Sequence, residues 1–222
     1  MKKKAVIFDM DGLMIDSERV TYDGYVKICR EFGYEMTLDF YKTLLGLRIN
    51  VISQKLKEHF GKFFPSEEII RRVHIYIEEY FQEKGVPLKT GLQEILQYLK
   101  SRDYKLIVAT STARIRAEKI LKNAGISQYF DGYVCGDEVV NGKPDKEIFI
   151  KACEKAKVKP EEAYVLEDSE MGILAASRAN ILCICVPDMK YPSEEMEAKT
   201  YKVANNLLEA LEIIKEDEKR FE

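Results

Sequence analysis

Asp9 and Asp11 stand two residues apart at the end of the apolar run Ala5-Val6-Ile7-Phe8, and Gly12 follows them. Two carboxylates leaving one buried strand are costly to place together. Like charges at close range oppose joint ionisation unless a cation neutralises them. A fold tolerates the arrangement where a metal or a reaction needs it. An Asp-x-Asp pair is also common in surface loops, so the pair alone decides little. Three further segments add weight: Thr110-Ser111-Thr112, Gly142-Lys143-Pro144 and Glu167-Asp168. Each alone has an ordinary structural use, as a helix cap, a solvated lysine or a turn. Together they offer four carboxylates, a cluster of hydroxyls and one ammonium, a set suited to phosphate and a hard cation.

The elements that must position these groups are legible as apolar runs. Strands are predicted at Ala5–Phe8, Lys105–Ala109, near 133–135, at 163–166 and at 181–186. Continuous apolar runs mark strands buried on both faces, hence a parallel sheet covered by helices. Helical patterns fall between them, at 92–100, Arg114–Asn123, 146–156, 170–179 and 206–216. Ser169 suits an N-cap and Asn180 a left-handed stop. Strand and helix alternate, so the class is α/β, a doubly wound, Rossmann-like parallel sheet. Ligands of such sheets bind beyond the carboxyl ends of the strands, where the three polar segments and the Asp-x-Asp pair all fall.

Residues from about 14 to 86 break this rhythm. They show amphipathic helical stretches near 17–32, 38–45, 51–59 and 66–83, punctuated by Gly33, Gly46, Gly61 and Pro65. The expected organisation is a core of residues 1–13 and 88–222, with a helical insert at 14–87. The joins should lie near 13–17 and 84–87.

Composition bounds the rest. The chain has 222 residues, long for one compact unit and short for two full domains. Net charge is −3 with acids and bases mixed, which speaks against a nucleic-acid surface or a polybasic membrane patch. Lys2-Lys3-Lys4 reads as a solvated lead-in to the first strand. The apolar run after it is too short for a signal peptide or a membrane span. The five cysteines are irregularly spaced, and Cys183-Ile184-Cys185 reads as buried strand rather than a redox or metal pair. The set fits a reducing cytosol. His59 and His74 read as surface or packing residues, and a monomer is expected.

The order Asp-x-Asp-Gly, then Thr/Ser, then Gly-Lys-Pro-Asp, then Glu-Asp-Ser resembles the four motifs of the haloacid dehalogenase superfamily. Phe8-Asp9-Met10-Asp11-Gly12-Leu13, with Asp16-Ser17-Glu18, is similar to its sugar-phosphatase and β-phosphoglucomutase branch, in which a helical cap follows the first motif. The resemblance covers nearly the whole chain. It implies that Asp9 is the nucleophile and forms an aspartyl-phosphate. Asp11 would protonate the leaving oxygen and then activate water. Mg²⁺ would bind the Asp9 carboxylate, the Asp11 carbonyl and Asp168, with Glu167 a ligand directly or through water. Thr110 and the Ser111 amide would hold phosphate oxygens, and Lys143 would neutralise charge among them. Arg48, in Gly46-Leu47-Arg48, falls where this branch places a substrate-specificity loop.

Three functions follow from the resemblance and the residues: a phosphatase of a small sugar phosphate or nucleotide-like monoester, a β-phosphoglucomutase, and a phosphorylatable signalling receiver. Length, the insert and a nucleophile on the first strand disfavour the receiver. The mutases carry a histidine where this chain has Thr21 and a lysine where it has Leu45. Asp16-Ser17-Glu18 and Val186-Pro187-Asp188 look more like the phosphatases. The phosphatase is the expected activity, acting on a small phosphorylated metabolite.

Overall fold

The computed structural model describes residues 3–47 and 49–220. Arg48 lies outside the described residues. In chain order the elements are β1 (Ala5–Phe8), α1 (Ser17–Glu31), α2 (Leu38–Lys42), α3 (Ile49–Phe60), α4 (Ser66–Lys84), α5 (Leu92–Ser101) and β2 (Lys105–Ala109). There follow α6 (Arg114–Asn123), β3 (Gly132–Val134), α7 (Glu147–Ala156), β4 (Ala163–Glu167) and α8 (Glu170–Arg178). The last are β5 (Leu182–Cys185), α9 (Glu194–Glu197), β6 (Lys202–Val203) and α10 (Leu207–Lys219). Two compact units result, one of residues 1–15 and 87–222, the other of residues 16–86.

The first unit is built on a six-stranded sheet of order β3-β2-β1-β4-β5-β6 among the described residues, parallel throughout. All four residues of β1 are buried, as continuous apolar runs in a two-faced sheet require. Ala5 and Ile7 join the core of one face with Ile148, Phe149, Ala152 and Ile173. On the other face the Phe8 ring meets Phe130 edge-on at 5.8 Å. The strand order reverses direction at β1, which pairs with β2 on one side and β4 on the other. A crevice must therefore open between the carboxyl ends of β1 and β4.

The chain leaves this unit after Ile15 and returns at Pro87, and Ile15 pairs antiparallel with Leu88. The second unit is helical. Val20, Tyr25 and Ile28 of α1 and Ile69, Val73 and Ile77 of α4 are among the buried apolar residues of its two long helices. Tyr41 is buried here, and its Oη donates to Glu18 Oε2 at 2.5 Å.

Several sequence expectations shift in detail. The helix expected at 38–45 stops at Lys42, where the Thr43 hydroxyl donates to the Phe40 carbonyl and turns the backbone. The last strand residues Lys202 and Val203 form β6, which carries no apolar run and exists through its pairing with Ile184 and Cys185. Lys4 is exposed, as a solvated lead-in should be, but the segment is also tied down. The Lys3 ammonium donates to the carbonyls of Glu161 and Ala163, both at 3.0 Å, and Lys4 pairs with Glu162 at 2.5 Å. All five cysteines are free and buried. Burial pushes the Cys185 thiol up to about 12 and raises Cys183 as well, so neither is a reactive thiolate. No described helix is long and apolar enough to cross a membrane.

Candidate active site

The chain reverses sharply after β1. The Asp9 amide donates to the Leu166 carbonyl at 3.0 Å and so continues the ladder to β4 for one more residue. The Met14 and Ile15 amides then fold back onto the Met10 carbonyl, and Gly12 donates to Ile15. Gly12 sits at φ +85°, where a residue without Cβ is favoured. This loop leaves Asp9 buried and Asp11 partly exposed. Asp11 Oδ2 accepts the hydroxyl of Thr112 at 2.8 Å, so the loops after β1 and β2 meet there.

The loop after β2 is shaped by its own hydroxyl. Thr110 is buried, its amide donates to Val134, and its Oγ1 accepts the Thr112 amide at 3.0 Å. The acceptor role leaves the Thr110 hydroxyl proton to be directed elsewhere. Ser111 is exposed, and its carbonyl faces Gly136 so closely that a Cβ there would lie 2.1 Å from the oxygen. Glycine at 136 is what lets these two loops meet.

Lys143 reaches the centre from the loop after β3. Its side chain is 6% exposed, and its ammonium donates to the Asp9 carboxylate, to Glu167 Oε1 at 2.6 Å and to the Ala109 carbonyl at 3.1 Å. All three ammonium protons are thereby used. Burial alone would push this ammonium down, but the Asp9 and Glu167 carboxylates outweigh it and raise it, so it stays charged. Asp9 is the opposite case. Burial pushes its carboxyl up to about 7, against the pull of Lys143, with Glu167 and Asp11 adding to the rise.

Glu167 and Asp168 arrive from β4. Glu167 is fully buried, while Asp168 is partly exposed. Asp9, Glu167 and Asp168 each offer a carboxylate oxygen, and these atoms lie within 4.8 Å of one another. An all-oxygen set with one member open to solvent suits a small hard cation such as Mg²⁺ and not a thiolate-seeking metal. Glu167 is the least available of the three. Its Oε2 accepts the amides of Asp168 and Ser169 and the Ser169 hydroxyl, while Oε1 holds Lys143.

Asp9, Asp11, Thr110, Ser111, Lys143, Glu167 and Asp168 thus all fall at the carboxyl edge of β1, β2 and β4 in the first unit. Sequence reasoning did not single out Thr112, Gly136 or Gly172, nor the bond from Ser169 to Glu167. The signal for Thr112 is the third residue of Thr-Ser-Thr, while the helix cap alone accounts for a serine at 169 and conceals its second bond. A separate groove of about 1040 Å³ lies in the helical unit between α3 and α4, lined by residues including Ser53, Lys57, Glu67 and His74. Lys57 and Glu67 are paired there at 2.6 Å, and none of the residues above lines it.

A family model described as haloacid dehalogenase-like hydrolase matches residues 6–186. The chain is 35% identical over 178 residues to a phosphorylated carbohydrates phosphatase of Thermotoga maritima, covering 80% of this chain and 82% of that protein. It is 31% identical over 183 residues to validoxylamine A 7′-phosphate phosphatase of Streptomyces hygroscopicus subsp. limoneus, covering 82% and 84%. A crystal structure described as that of a candidate β-phosphoglucomutase from Thermotoga maritima matches with a TM-score of 0.79 at 32% identity, covering 96% of this chain and 99% of that one.

Proposed function

The chain belongs to the haloacid dehalogenase-like hydrolases, and from that premise we propose that it is a Mg²⁺-dependent phosphatase working through an aspartyl-phosphate. Its substrate is a small phosphate monoester, a sugar phosphate or nucleotide-like metabolite. The observation that carries the reading is the Asp9 carboxylate, buried and held by Lys143 within 4.8 Å of Asp168. The two phosphatases above support the reaction class.

In this reading an Asp9 oxygen attacks phosphorus, the P–O bond to the leaving group breaks, and Asp11 gives that oxygen its proton. Asp11 then takes a proton from water, whose oxygen displaces Asp9 and releases inorganic phosphate. The Thr112 hydroxyl on Asp11 Oδ2 holds that carboxyl in one orientation through both steps. Thr110 and the Ser111 amide hold the phosphoryl oxygens, and Lys143 balances their charge. Asp9, the Asp11 carbonyl and Asp168 would hold Mg²⁺, which supplies charge neutralisation to the transferring phosphoryl group. The helical unit acts as a cap that decides which esters are accepted, with Arg48 as a contact to the leaving group. Arg48→Ala should change kcat/KM between substrates more than it changes turnover of a small generic ester. An equal loss on every substrate would remove Arg48 from that role. The enzyme works as a monomer in the cytoplasm.

The structural relative described as a candidate mutase gives a second reading. A mutase must keep water unreactive while its aspartyl-phosphate waits for a second sugar hydroxyl. The position that carries a histidine in that group is Thr21, whose hydroxyl donates to the Ser17 carbonyl of its own helix at 2.8 Å. Leu45 offers no ammonium either. The experiment is a phosphate-release screen over sugar phosphates and nucleotides with Mg²⁺, including β-glucose 1-phosphate with a coupled glucose-6-phosphate readout. Free phosphate from some members of the panel is expected, with little glucose 6-phosphate. Stoichiometric glucose 6-phosphate without free phosphate would establish the mutase instead.

A further inference from the structure

The turn after β4 holds one side chain with unusual completeness. Glu167 Oε2 accepts the Asp168 amide at 2.9 Å, the Ser169 amide at 2.8 Å and the Ser169 hydroxyl at 2.9 Å. Its other oxygen takes Lys143 at 2.6 Å. The Ser169 oxygen also accepts the Gly172 amide at 3.1 Å, as the N-cap of α8. A single hydroxyl therefore joins the first turn of a helix to a buried carboxylate. Gly172 closes the remaining side. A Cβ there would lie 1.8 Å from both Cδ and Oε1 of Glu167, so the helix backbone itself lies against the carboxylate face.

Those four bonds fix where the Glu167 carboxylate sits, and buried groups stripped of partners are expensive. They also fix its effect on its neighbours. Lys143 is shared between Glu167 and Asp9, so the place of the ammonium depends on where Glu167 holds it. Asp168 is bound through its amide to the same oxygen that Ser169 secures, so the direction in which its carboxylate leaves the turn depends on that oxygen too. If Oε2 loses its hydroxyl donor, Glu167 gains freedom to rotate. Lys143 can then move further onto Asp9, and the spacing of Asp9 and Asp168 is no longer held.

We propose that Ser169 is a positioning residue of this site, its hydroxyl locking Glu167 so that Lys143 stays shared with Asp9 and Asp168 keeps its aim. The role rests on the hydrolase reading above. It acts at a distance from the ester and does not involve contact with substrate.

Helix capping alone would also make Ser169 useful, so the test separates the two. Ser169→Gly removes the hydroxyl while keeping a residue that is well tolerated at an N-cap. Ser169→Thr keeps the hydroxyl. Metal-free proteins are titrated with MgCl₂ by calorimetry, melted in EDTA, and assayed for kcat at saturating ester and Mg²⁺. Supporting partners of metal ligands typically matter by about 10–100-fold, so Ser169→Gly should weaken Mg²⁺ binding and lower kcat by about tenfold each. Its melting temperature in EDTA should fall by about 3–10 °C, more than the roughly 2 °C or less that loss of the cap alone would give. Ser169→Thr should restore both quantities to within about threefold of the wild type. The proposal is overturned if Ser169→Gly binds Mg²⁺ and turns over within twofold of the wild type, or if its losses are not recovered by threonine. If the wild-type protein itself binds no Mg²⁺, the hydrolase reading fails first and this role fails with it.

Discussion

A side chain at Gly12 has no room, because its Cβ would lie 2.3 Å from Asp168 Oδ2. The two residues are far apart in the chain and belong to the ends of adjacent strands, β1 and β4. Gly12 is therefore needed twice, for its left-handed backbone at φ +85° and for the space it leaves to a carboxylate. Gly33 has nearly the same backbone, at φ +80°, but nothing within 4 Å of its missing Cβ. Gly12→Ala and Gly33→Ala should each lose about 1–2 kcal/mol of stability from the backbone alone. Only Gly12→Ala should also lose Mg²⁺ binding and turnover, measured by calorimetry and phosphate release. Equal activity in the two variants would mean that Asp168 can move aside harmlessly.

Asp9→Asn should abolish turnover while leaving circular dichroism unchanged. An amide is a poor nucleophile, and loss of a nucleophile removes at least about a thousandfold of rate. Phosphate release near the wild-type rate would remove Asp9 from the nucleophile role.

Chelation should stop the reaction, and Mg²⁺ should restore it better than Ca²⁺, whose longer and looser coordination misplaces the reacting oxygens. Asp168→Ala should weaken Mg²⁺ binding more than Glu167→Ala, because the Glu167 oxygens are engaged by protein donors. Stability should rank the other way. Glu167→Ala leaves the buried Lys143 ammonium with one fewer counter-charge, which costs about 3–5 kcal/mol. Calorimetry with Mg²⁺ and denaturant melts in EDTA give both rankings. Reversal of either would reassign the two carboxylates.

The metal-free protein should become less stable as pH rises toward neutrality. Burial raises the Asp9 carboxyl from 3.8 to about 7, so between those values the folded state holds a proton that the unfolded chain has lost. Stability then falls with pH through that window and levels off above it. Asp9→Asn does not titrate and should lack this fall. Thermal melts in EDTA should therefore show the wild type losing ground to Asp9→Asn up to about pH 7, with a constant gap beyond. Parallel curves across the range would show that Asp9 titrates at its ordinary value.

Local chemistry alone settled β1 to β5 of the first unit and the order of its motifs. Ala5–Phe8 and residues 106–109 are apolar without alternation, and a strand of that kind has one stable place, inside a sheet covered on both faces. Ser169 as a cap and Asn180 at φ 55° were likewise local matters, decided by hydrogen bonds and backbone sterics within a few residues. Tertiary structure decided the partners. Thr112 meets Asp11 across 101 positions, and Lys143 reaches Asp9 across 134, because β1 lies between β2 and β4 in the folded sheet. It also created β6, whose two residues have no strand signal and are held by the edge of β5. Above all it determined what Glu167 does. In the sequence Glu167 and Asp168 are neighbouring carboxylates of equal promise. In the fold one is enclosed by Lys143, Ser169 and the backbone at Gly172, and the other stays open to solvent. Burial and donor geometry depend on strand order and register, and no window along the chain contains them.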